Sequence, residues 1–336
     1  MKLNTILVNP DIYIKNTKPN CINLNNSFST KKEYEKTESL DYKREDGLDN
    51  YLVLKKILSK LYNVSENGIC LSSSGLSLAT LLNQSKCFNR ILCLKNTYPD
   101  MKTAYNGLYL ENINSIEKND LICIESYTIP ECSSNKDLIE KYINEAKNKN
   151  AFVLVDNTYS TCYTFNPFEL GVDFVLESLS KFSSGLNNTL GGILLTTDKN
   201  KDKIKNIDDL RKHYGFYLDP INCYLIQLCL QTLPIRLDKI KNTIKSIKKY
   251  LIENKIQFSV IEETGIVFIK CSENFAKEIM KSITLFQLVD SFGVNFSTIN
   301  YFKEEYLLRI SIGLEDPIDL INSLNEVLYL LKAGQT

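Results

Sequence analysis

Residues 155–194 read VDNTYSTCYTFNPFELGVDFVLESLSKFSSGLNNTLGGIL, and this segment carries the clearest signal of the fold class. Three short apolar runs lie in it or overlap its ends: Ala151–Asp156, Phe174–Glu177 and Gly192–Thr197. Short apolar runs bounded by Gly, Pro, Asn and Ser predict buried strands. The first predicted strand ends on an acidic residue, and the second leads into Lys181.

The same alternation extends toward the N-terminus. Further apolar runs occur at Arg90–Leu94 and Leu121–Glu125, and amphipathic helices are predicted at Asp49–Tyr62 and Asp137–Lys147. Alternating strands and helices are typical of an α/β domain with a mostly parallel sheet, and sites in such domains lie at the carboxyl ends of the strands.

The pattern changes near Arg236, where a long Lys-rich amphipathic helix is predicted. It is followed by predicted strands at Phe258–Ile261, Ile266–Cys271 and Leu307–Ile312 and by predicted helices at Glu273–Ile283 and Pro317–Leu331. We therefore predict an N-terminal arm (residues 1–45), a large domain (residues 46–235) and a smaller C-terminal α/β domain (residues 236–336).

The composition argues against several classes of function. Lys+Arg and Asp+Glu are both 40, so no general electrostatic attraction to nucleic acid is expected. The single histidine, His213, excludes a zinc site built from several histidines, and we expect no metal. No apolar stretch approaches the ~20 residues of a membrane helix, and the N-terminus is unlike a secretory signal. Ten cysteines without CxxC spacing are typical of reduced thiols in a cytoplasmic protein.

Three groups of polar residues are expected at strand ends of the large domain. Ser72–Gly75 opens a helix-like segment, and its free N–H groups either bind a phosphate or belong to an ordinary N-cap. Asp156 is either a turn cap or the partner of a ligand nitrogen. Lys181 is either a surface lysine or a partly desolvated, nucleophilic amine.

A phosphate seat, an aspartate and a lysine in this order on an α/β sheet are what pyridoxal 5′-phosphate (PLP) requires. The lysine forms a Schiff base with the cofactor, and the aspartate keeps the pyridine nitrogen protonated so that the ring accepts electrons. The order of the three groups therefore favours a PLP enzyme over the separate structural explanations.

From about Tyr42 to Leu331 the sequence resembles the Cys/Met metabolism family of PLP-dependent enzymes, which includes cystathionine γ-synthase, cystathionine lyases, methionine γ-lyase and homoserine sulfhydrylases. Residues 155–194 align without a gap with the family signature VDNTF…P…NP…LGAD…HS.TKY..GH.D.LGG. Residues 307–328, LLRISIGLEDPIDLINSLNEVL, are similar to its closing LVRLSVGLED segment. The resemblance implies an α/β fold of the PLP-dependent transferase type (fold type I, aspartate aminotransferase-like), with a large, mostly parallel-sheet domain plus a smaller C-terminal α/β domain.

The resemblance also implies roles for individual residues toward the cofactor. Lys181 would be the Schiff-base lysine and proton shuttle, and Asp156 would pair with the pyridine nitrogen. The other cofactor contacts would come from the phosphate turn Ser74, Gly75 and Leu76, from Ser178 and Ser180, from Tyr98, and from Tyr42 and Arg44. Tyr98 would stack on the ring and help to deprotonate the substrate amine, whereas Tyr42 and Arg44 would reach the phosphate of a neighbouring subunit.

For the substrate, the resemblance implies that Arg309 binds the α-carboxylate through a bidentate contact, with Ser291 nearby. The shared phosphate site implies a homodimer or homotetramer. We therefore expect a cytoplasmic PLP-dependent C–S lyase or γ-synthase whose partner is a small amino acid. It would perform β- or γ-elimination or γ-replacement on a sulfur-containing or O-acylated amino acid. The alternative is a PLP-binding but catalytically silent homologue with a scaffold or regulatory role.

The chain departs from the family pattern in the parts that read the substrate. Ile129 replaces the asparagine that would hydrogen-bond the phenolic oxygen of the cofactor. The family's SLGGxES segment reads SFGVNFS, so that Phe296 replaces a glutamate associated with γ-selective members. Leu186 replaces a histidine, residues 47–49 replace an NPT motif, and the segment after Ser297 is shortened. These departures leave the regiochemistry and the substrate open.

Overall fold

The computed structural model of the chain describes residues 49–333. Tyr42, Arg44 and the predicted N-terminal arm lie outside the described residues. The helices, in chain order, are α1 (Asp49–Tyr62), α2 (Gly75–Gln84), α3 (Pro99–Tyr105), α4 (Lys136–Lys149), α5 (Thr161–Thr164), α6 (Lys201–Tyr214), α7 (Pro220–Glu253), α8 (Glu273–Ser282), α9 (Pro317–Glu326) and α10 (Leu328–Ala333).

Most strands lie within a residue or two of their predicted positions. They are β1 (Ile69–Ser72), β2 (Ile91–Cys93), β3 (Leu108–Tyr109), β4 (Leu121–Glu125), β5 (Tyr127–Thr128), β6 (Ser133–Ser134), β7 (Phe152–Asp156), β8 (Phe174–Ser178), β9 (Gly192–Thr196), β10 (Ser259–Ile261), β11 (Ile266–Lys270), β12 (Gln287–Leu288), β13 (Thr298–Phe302) and β14 (Leu307–Ser311). The sequence patterns did not predict β1, β3, β5, β6, β12 or β13.

The large sheet has seven strands in the order β1-β9-β8-β7-β4-β2-β3. Its strand pairs are parallel except those of β9, which runs antiparallel to both β1 and β8. This arrangement confirms the predicted α/β class with a mostly parallel sheet. The carboxyl ends of β1, β4, β7 and β8 therefore meet at one edge of the sheet, where ligands bind in open α/β folds.

Both faces of the large sheet are buried, which explains why its strands read as continuous apolar runs. Along β7, Val153 and Val155 belong to one hydrophobic cluster and Leu154 belongs to the cluster on the opposite face. Phe174 and Val175 of β8 divide between the same two clusters. The alternation places the side chain of Asp156, the last residue of β7, at the edge of the sheet rather than in either cluster.

The smaller sheet has five strands in the order β10-β11-β14-β13-β12, with only β12 and β13 parallel among its described pairs. The long helix α7 precedes it and begins at Pro220, so the predicted start near Arg236 was wrong. Asp219 caps α7 by accepting a hydrogen bond from the Ile221 N–H at 2.8 Å. The proposed domain boundary at residue 235 falls inside α7 and stays a prediction.

The helix predicted at Pro317–Leu331 is two helices, which corrects that prediction. Val327 leaves the helical conformation with φ −113° and ψ 7°, and its side chain is completely buried. The break lets α10 pack against α8. Within residues 49–333, no helix is both long enough and apolar enough to cross a bilayer.

Candidate active site

Lys181 lies in the turn that follows β8, at the carboxyl edge of the large sheet. Its Nζ donates a hydrogen bond to Ser291 Oγ at 2.9 Å and lies 4.9 Å from the centre of the Phe292 ring. Burial and the nearby positive charge of Arg309 lower the pKa of Lys181 to about 8. An amine with this pKa is neutral in a substantial fraction of molecules near neutral pH, as a nucleophilic lysine requires.

Asp156 ends β7 directly beside Glu125, which ends β4. Asp156 Oδ1 accepts hydrogen bonds from the Thr158 N–H at 3.0 Å and from Thr158 Oγ1 at 2.6 Å. Burial raises the pKa of Asp156, and these two hydrogen bonds oppose that rise. None of the ion pairs within residues 49–333 includes Asp156, so the carboxylate is free to pair with a ligand cation.

Glu125 was predicted to end a strand but received no role from the sequence. One of its oxygens accepts a hydrogen bond from the Tyr98 backbone N–H at 2.6 Å. Burial and the charge of Asp156 raise the pKa of Glu125 to about 8. Because two neighbouring, partly buried carboxyl groups resist carrying two charges, a protonated Glu125 leaves Asp156 as the anion of the pair. The signal for Glu125 was its position at a strand end, which matches that of Asp156.

The predicted phosphate turn lies at the start of α2. Ser74 is the N-cap, and its side chain exchanges capping hydrogen bonds with Ser77. The N–H groups of Gly75 and Leu76 belong to the first turn, where N–H groups have no acceptor within the helix. This turn packs closely on β8 and β9: a Cβ atom on Gly75 would lie 3.5 Å from Ser178 Cβ, and one on Gly192 would lie 2.4 Å from the Ser74 carbonyl group.

Ser178 and Ser180 join the lysine turn to its neighbours. The Ser178 N–H donates to Thr158 Oγ1 at 2.9 Å, which connects the Lys181 turn to the Asp156 turn. Ser180 Oγ accepts a hydrogen bond from the Gly191 N–H at 3.0 Å and contacts the Gly191 carbonyl at 3.3 Å. The Ser180 hydroxyl is thus already engaged with the backbone at the start of β9.

Tyr98 is the N-cap residue of α3 and is half exposed at the mouth of the site. Its hydroxyl donates a hydrogen bond to Asp100 Oδ2 at 2.7 Å. Burial and Asp100 raise the pKa of Tyr98 to about 12. In this arrangement the phenol keeps its proton, so any role as a base requires the hydroxyl to leave Asp100 first.

Arg309 lies on β14, and its side chain is only 5% exposed. Its Nη2 donates hydrogen bonds to the carbonyl oxygens of Asp290 and Ser291. The rings of Phe292 and Phe302 each lie 5.0 Å from the guanidinium carbon. Arg309 Nε is buried and has no hydrogen-bond acceptor among the described residues.

Two aromatic residues that the sequence did not single out complete the site. Tyr159, three residues after Asp156, stacks on Phe292 with ring centroids 4.7 Å apart and planes 6° apart. Phe292 directly follows the predicted substrate residue Ser291. The signal available in the sequence was that both positions differ from the quoted family pattern, VDNTF and SLGG.

The residues present fit PLP. They supply a desolvated amine on Lys181, an Asp156 carboxylate without a cationic partner, and free N–H groups at the start of α2. The buried Nε–H group of Arg309 has no hydrogen-bond acceptor among the described residues, so it can donate a hydrogen bond to a ligand. One contact is missing, because the apolar side chain of Ile129 cannot donate a hydrogen bond to the phenolic oxygen of the cofactor.

Comparisons with known proteins bear on the fold and the family of the chain. A family model described as "Cys/Met metabolism PLP-dependent enzyme" matches residues 85–263, more than half of the chain. The chloroplastic cystathionine beta-lyase of Arabidopsis thaliana is 25% identical over 337 residues, which cover 85% of this chain and 71% of that protein. A cystathionine beta-lyase of Lactococcus lactis subsp. cremoris is 27% identical over 219 residues, which cover 54% of this chain and 57% of that protein.

Among solved structures, a protein described as cystathione gamma lyase (CalE6) from Micromonospora echinospora superimposes with a TM-score of 0.75. The match covers 84% of this chain and 87% of that chain at 21% sequence identity, a level at which the likeness concerns the fold. It confirms the predicted fold of a PLP-dependent transferase. The family model matches more than half of the chain, and the fold agrees with it. The chain therefore belongs to the Cys/Met metabolism family of PLP-dependent enzymes.

Proposed function

We propose that the chain is a PLP-dependent lyase or transferase that breaks or replaces a bond at Cβ or Cγ of a sulfur-containing or O-acylated amino acid. The observation that carries this proposal is the convergence of Lys181, Asp156 and Arg309 at one edge of the large sheet. Ser291 and Phe292 contact both Lys181 and Arg309, and Thr158 connects Asp156 to the lysine turn. The three groups therefore act on one small ligand.

Bound PLP supplies an electron sink for the negative charge that develops at the substrate Cα. The amine of Lys181 attaches the cofactor and, when free, exchanges the Cα proton, for which a pKa of about 8 is well suited. Asp156 holds a proton on the ring nitrogen through its negative charge. The N–H groups at the start of α2 bind the phosphate, and Arg309 binds the substrate α-carboxylate.

The side chain of the substrate is the open question. Phe296 replaces a glutamate that the resemblance associates with γ-selective members, which leaves room for β-chemistry. Both curated relatives described above are named beta-lyases, and they support the inclusion of β-elimination. We therefore propose C–S lysis of a thioether amino acid such as cystathionine as the first activity to test, and γ-replacement on an O-acylated homoserine as the second.

The test is a substrate panel assayed by mass spectrometry. The PLP-loaded protein is incubated with cystathionine, methionine, cysteine and O-acylated homoserines, and keto acids, ammonia and new thioethers are measured. Lys181→Ala serves as the control, and borohydride reduction followed by peptide mapping should place the pyridoxyl group on Lys181. If the adduct maps to Lys181 but every substrate is left unchanged, the catalytically silent homologue is the better description.

We also propose that the protein works as a homodimer or homotetramer with shared sites. Ile221, Leu228 and Ile235 lie seven residues apart on α7, and they are 58%, 36% and 71% exposed. This spacing places them on the same side of the helix, where an apolar stripe favours self-association. Sedimentation velocity measures the assembly, and a monomer at micromolar concentration would contradict it.

A reducing compartment such as the cytoplasm is the proposed location. The described residues contain nine cysteines, all with free thiols and six of them buried. Imaging of the tagged protein in its own cells tests this assignment, and secretion of the protein would contradict it.

A further inference from the structure

Two departures from the quoted family pattern meet in space. Tyr159 stands where the VDNTF motif has phenylalanine, and Phe292 stands where SLGG has leucine. Their rings are stacked, with centroids 4.7 Å apart and an interplanar angle of 6°. Tyr159 follows β7 of the large sheet and Phe292 precedes β13 of the smaller sheet, so the stack joins the parts of the site that the two sheets provide.

The stack lies against the two cationic residues of the site. The face of Phe292 is 4.9 Å from Lys181 Nζ and 5.0 Å from the guanidinium carbon of Arg309. The aromatic quadrupole attracts both cations, and such contacts are stronger where water is excluded. Arg309 depends on this surface more than Lys181 does, because only one-twentieth of its side chain is exposed.

The hydroxyl of Tyr159 contributes a separate contact. Burial lowers the pKa of Arg309, and the neighbouring Tyr159 hydroxyl opposes this, so the hydroxyl lies close to the guanidinium. The carbonyls of residues 290 and 291 accept hydrogen bonds from Nη2 of Arg309. The Tyr159 hydroxyl is a further polar group beside the guanidinium.

We propose that the Tyr159–Phe292 stack positions Arg309 for the carboxylate of the amino-acid substrate. In this arrangement Phe292 supports the face of the guanidinium and the Tyr159 hydroxyl sets its orientation, so that the buried Nε faces an incoming carboxylate oxygen. The inference rests on the proposed function, in which Arg309 is the carboxylate receptor. It makes Tyr159 and Phe292 positioning residues for substrate recognition.

The experiment measures carboxylate binding without turnover. Butyrate carries a carboxylate but no amine, so it cannot react with the cofactor, and butyramide is its uncharged counterpart. Isothermal titration of the PLP-loaded protein with each compound gives the preference for the carboxylate. Tyr159→Phe keeps the stacked ring and removes only the hydroxyl, and Phe292→Leu introduces the residue of the family pattern.

We expect Tyr159→Phe to weaken butyrate binding about tenfold, the usual size of a lost hydrogen bond to a charged group. Butyramide binding and the melting temperature should stay unchanged. If Tyr159 had only a structural role, its substitution would not weaken butyrate binding alone. Phe292→Leu should also reduce the preference for butyrate. The matched control is Tyr163→Phe, which removes a hydroxyl that donates to Asp238 Oδ1 at 2.8 Å outside the site.

The outcomes separate the two proposals. If the wild-type protein and the Tyr159→Phe variant prefer butyrate over butyramide equally, the positioning role is wrong and the proposed function is unaffected. Wild-type protein with no preference for butyrate contradicts the assignment of Arg309 itself and the positioning role with it. On an amino-acid substrate identified in the panel, Tyr159→Phe should raise KM and leave kcat nearly unchanged, and the reverse pattern overturns the inference.

Discussion

At the scale of single residues, two carboxyl groups divide their roles by environment. Glu125 and Asp156 end neighbouring strands and are both partly buried, yet the pKa of Glu125 is raised to about 8 by burial and by Asp156. Thr158 donates two hydrogen bonds to Asp156 and so favours its charged form. The charge at this edge therefore resides on Asp156, the residue that we propose pairs with the protonated ring nitrogen of PLP.

Asp156→Asn should keep the fold and slow exchange of the substrate Cα proton about a hundredfold or more, the usual loss when one electrostatic contact to a transition state is removed. The measurement is deuterium exchange at Cα of a bound amino acid, followed by proton NMR. Asp173→Asn is the control, since Asp173 is also largely buried but precedes β8 at the opposite edge of the sheet. If Asp156→Asn exchanged the Cα proton at the wild-type rate, Asp156 would serve only as a cap of its turn.

Glu177 is a second buried carboxyl group, and it predicts how stability depends on pH. Burial raises its pKa to about 7, hydrogen bonds from Ser183 and Tyr62 oppose this rise, and the charge of Asp156 adds to it. The ordinary glutamate pKa is about 4.3, so between about pH 4.3 and pH 7 the folded protein binds more protons than the unfolded chain. Stability therefore falls as pH rises through this window.

Glu177→Gln removes that proton uptake and should flatten the decline. From pH 5 to pH 8 the wild type should lose on the order of 3 kcal/mol more unfolding free energy than the variant, as expected for a shift of between two and three pKa units. Urea denaturation at a series of pH values measures the difference. Parallel curves for the two proteins would show that Glu177 titrates normally.

At the scale of elements, the phosphate seat depends on how closely β9 approaches the start of α2. A Cβ atom at position 192 would lie 2.4 Å from the carbonyl carbon and oxygen of Ser74, so only glycine permits this distance. The contact holds the Ser74 turn over the end of β8. The seat is therefore built by two elements that are far apart in sequence.

Gly192→Ala should displace the Ser74 turn and weaken PLP binding at least about tenfold, because the N–H groups lose their alignment on the phosphate. Cofactor affinity is measured by fluorescence titration of the apoprotein. Gly75→Ala is the steric control, since its Cβ would meet no atom closer than 3.5 Å. If Gly192→Ala and Gly75→Ala bound PLP with equal affinity, the close approach of Gly192 to the Ser74 carbonyl group would not be the cause of the weaker binding.

At the scale of the whole molecule, the prediction is that a second subunit completes each active site. Tyr42 and Arg44 resemble residues that reach a neighbour's phosphate, and the apolar stripe on α7 offers a surface for association. We predict that Arg44→Ala and Lys181→Ala are each inactive and that mixing them restores part of the activity, because a heterodimer contains one site with both native residues. Subunit exchange is verified by native mass spectrometry, and exchange without recovered activity would exclude a shared site.

Much of the molecule followed from local sequence patterns. The strands β4, β7 and β8 and the helix α1 begin and end within a residue of their predicted limits, because a strand buried on both faces is a continuous apolar run. Lys181 and Asp156 were singled out because they lie at the ends of predicted strands, and the turn at Ser74 because its small residues open a helix-like segment. Local patterns were less informative for α7, whose first half is apolar and contains Pro234, and for the short edge strands.

Only the tertiary structure decided which distant residues share the site. Arg309 lies on the smaller sheet and Phe292 lies in the segment between two of its strands, and both meet residues of the large domain only in the folded chain. Burial in the folded chain is also the main cause of the altered pKa values of Glu125 and Lys181. Sequence spacing determines the local conformation of a segment, whereas burial and the distance between charges depend on every element that surrounds them, and the chemistry of this site rests on both.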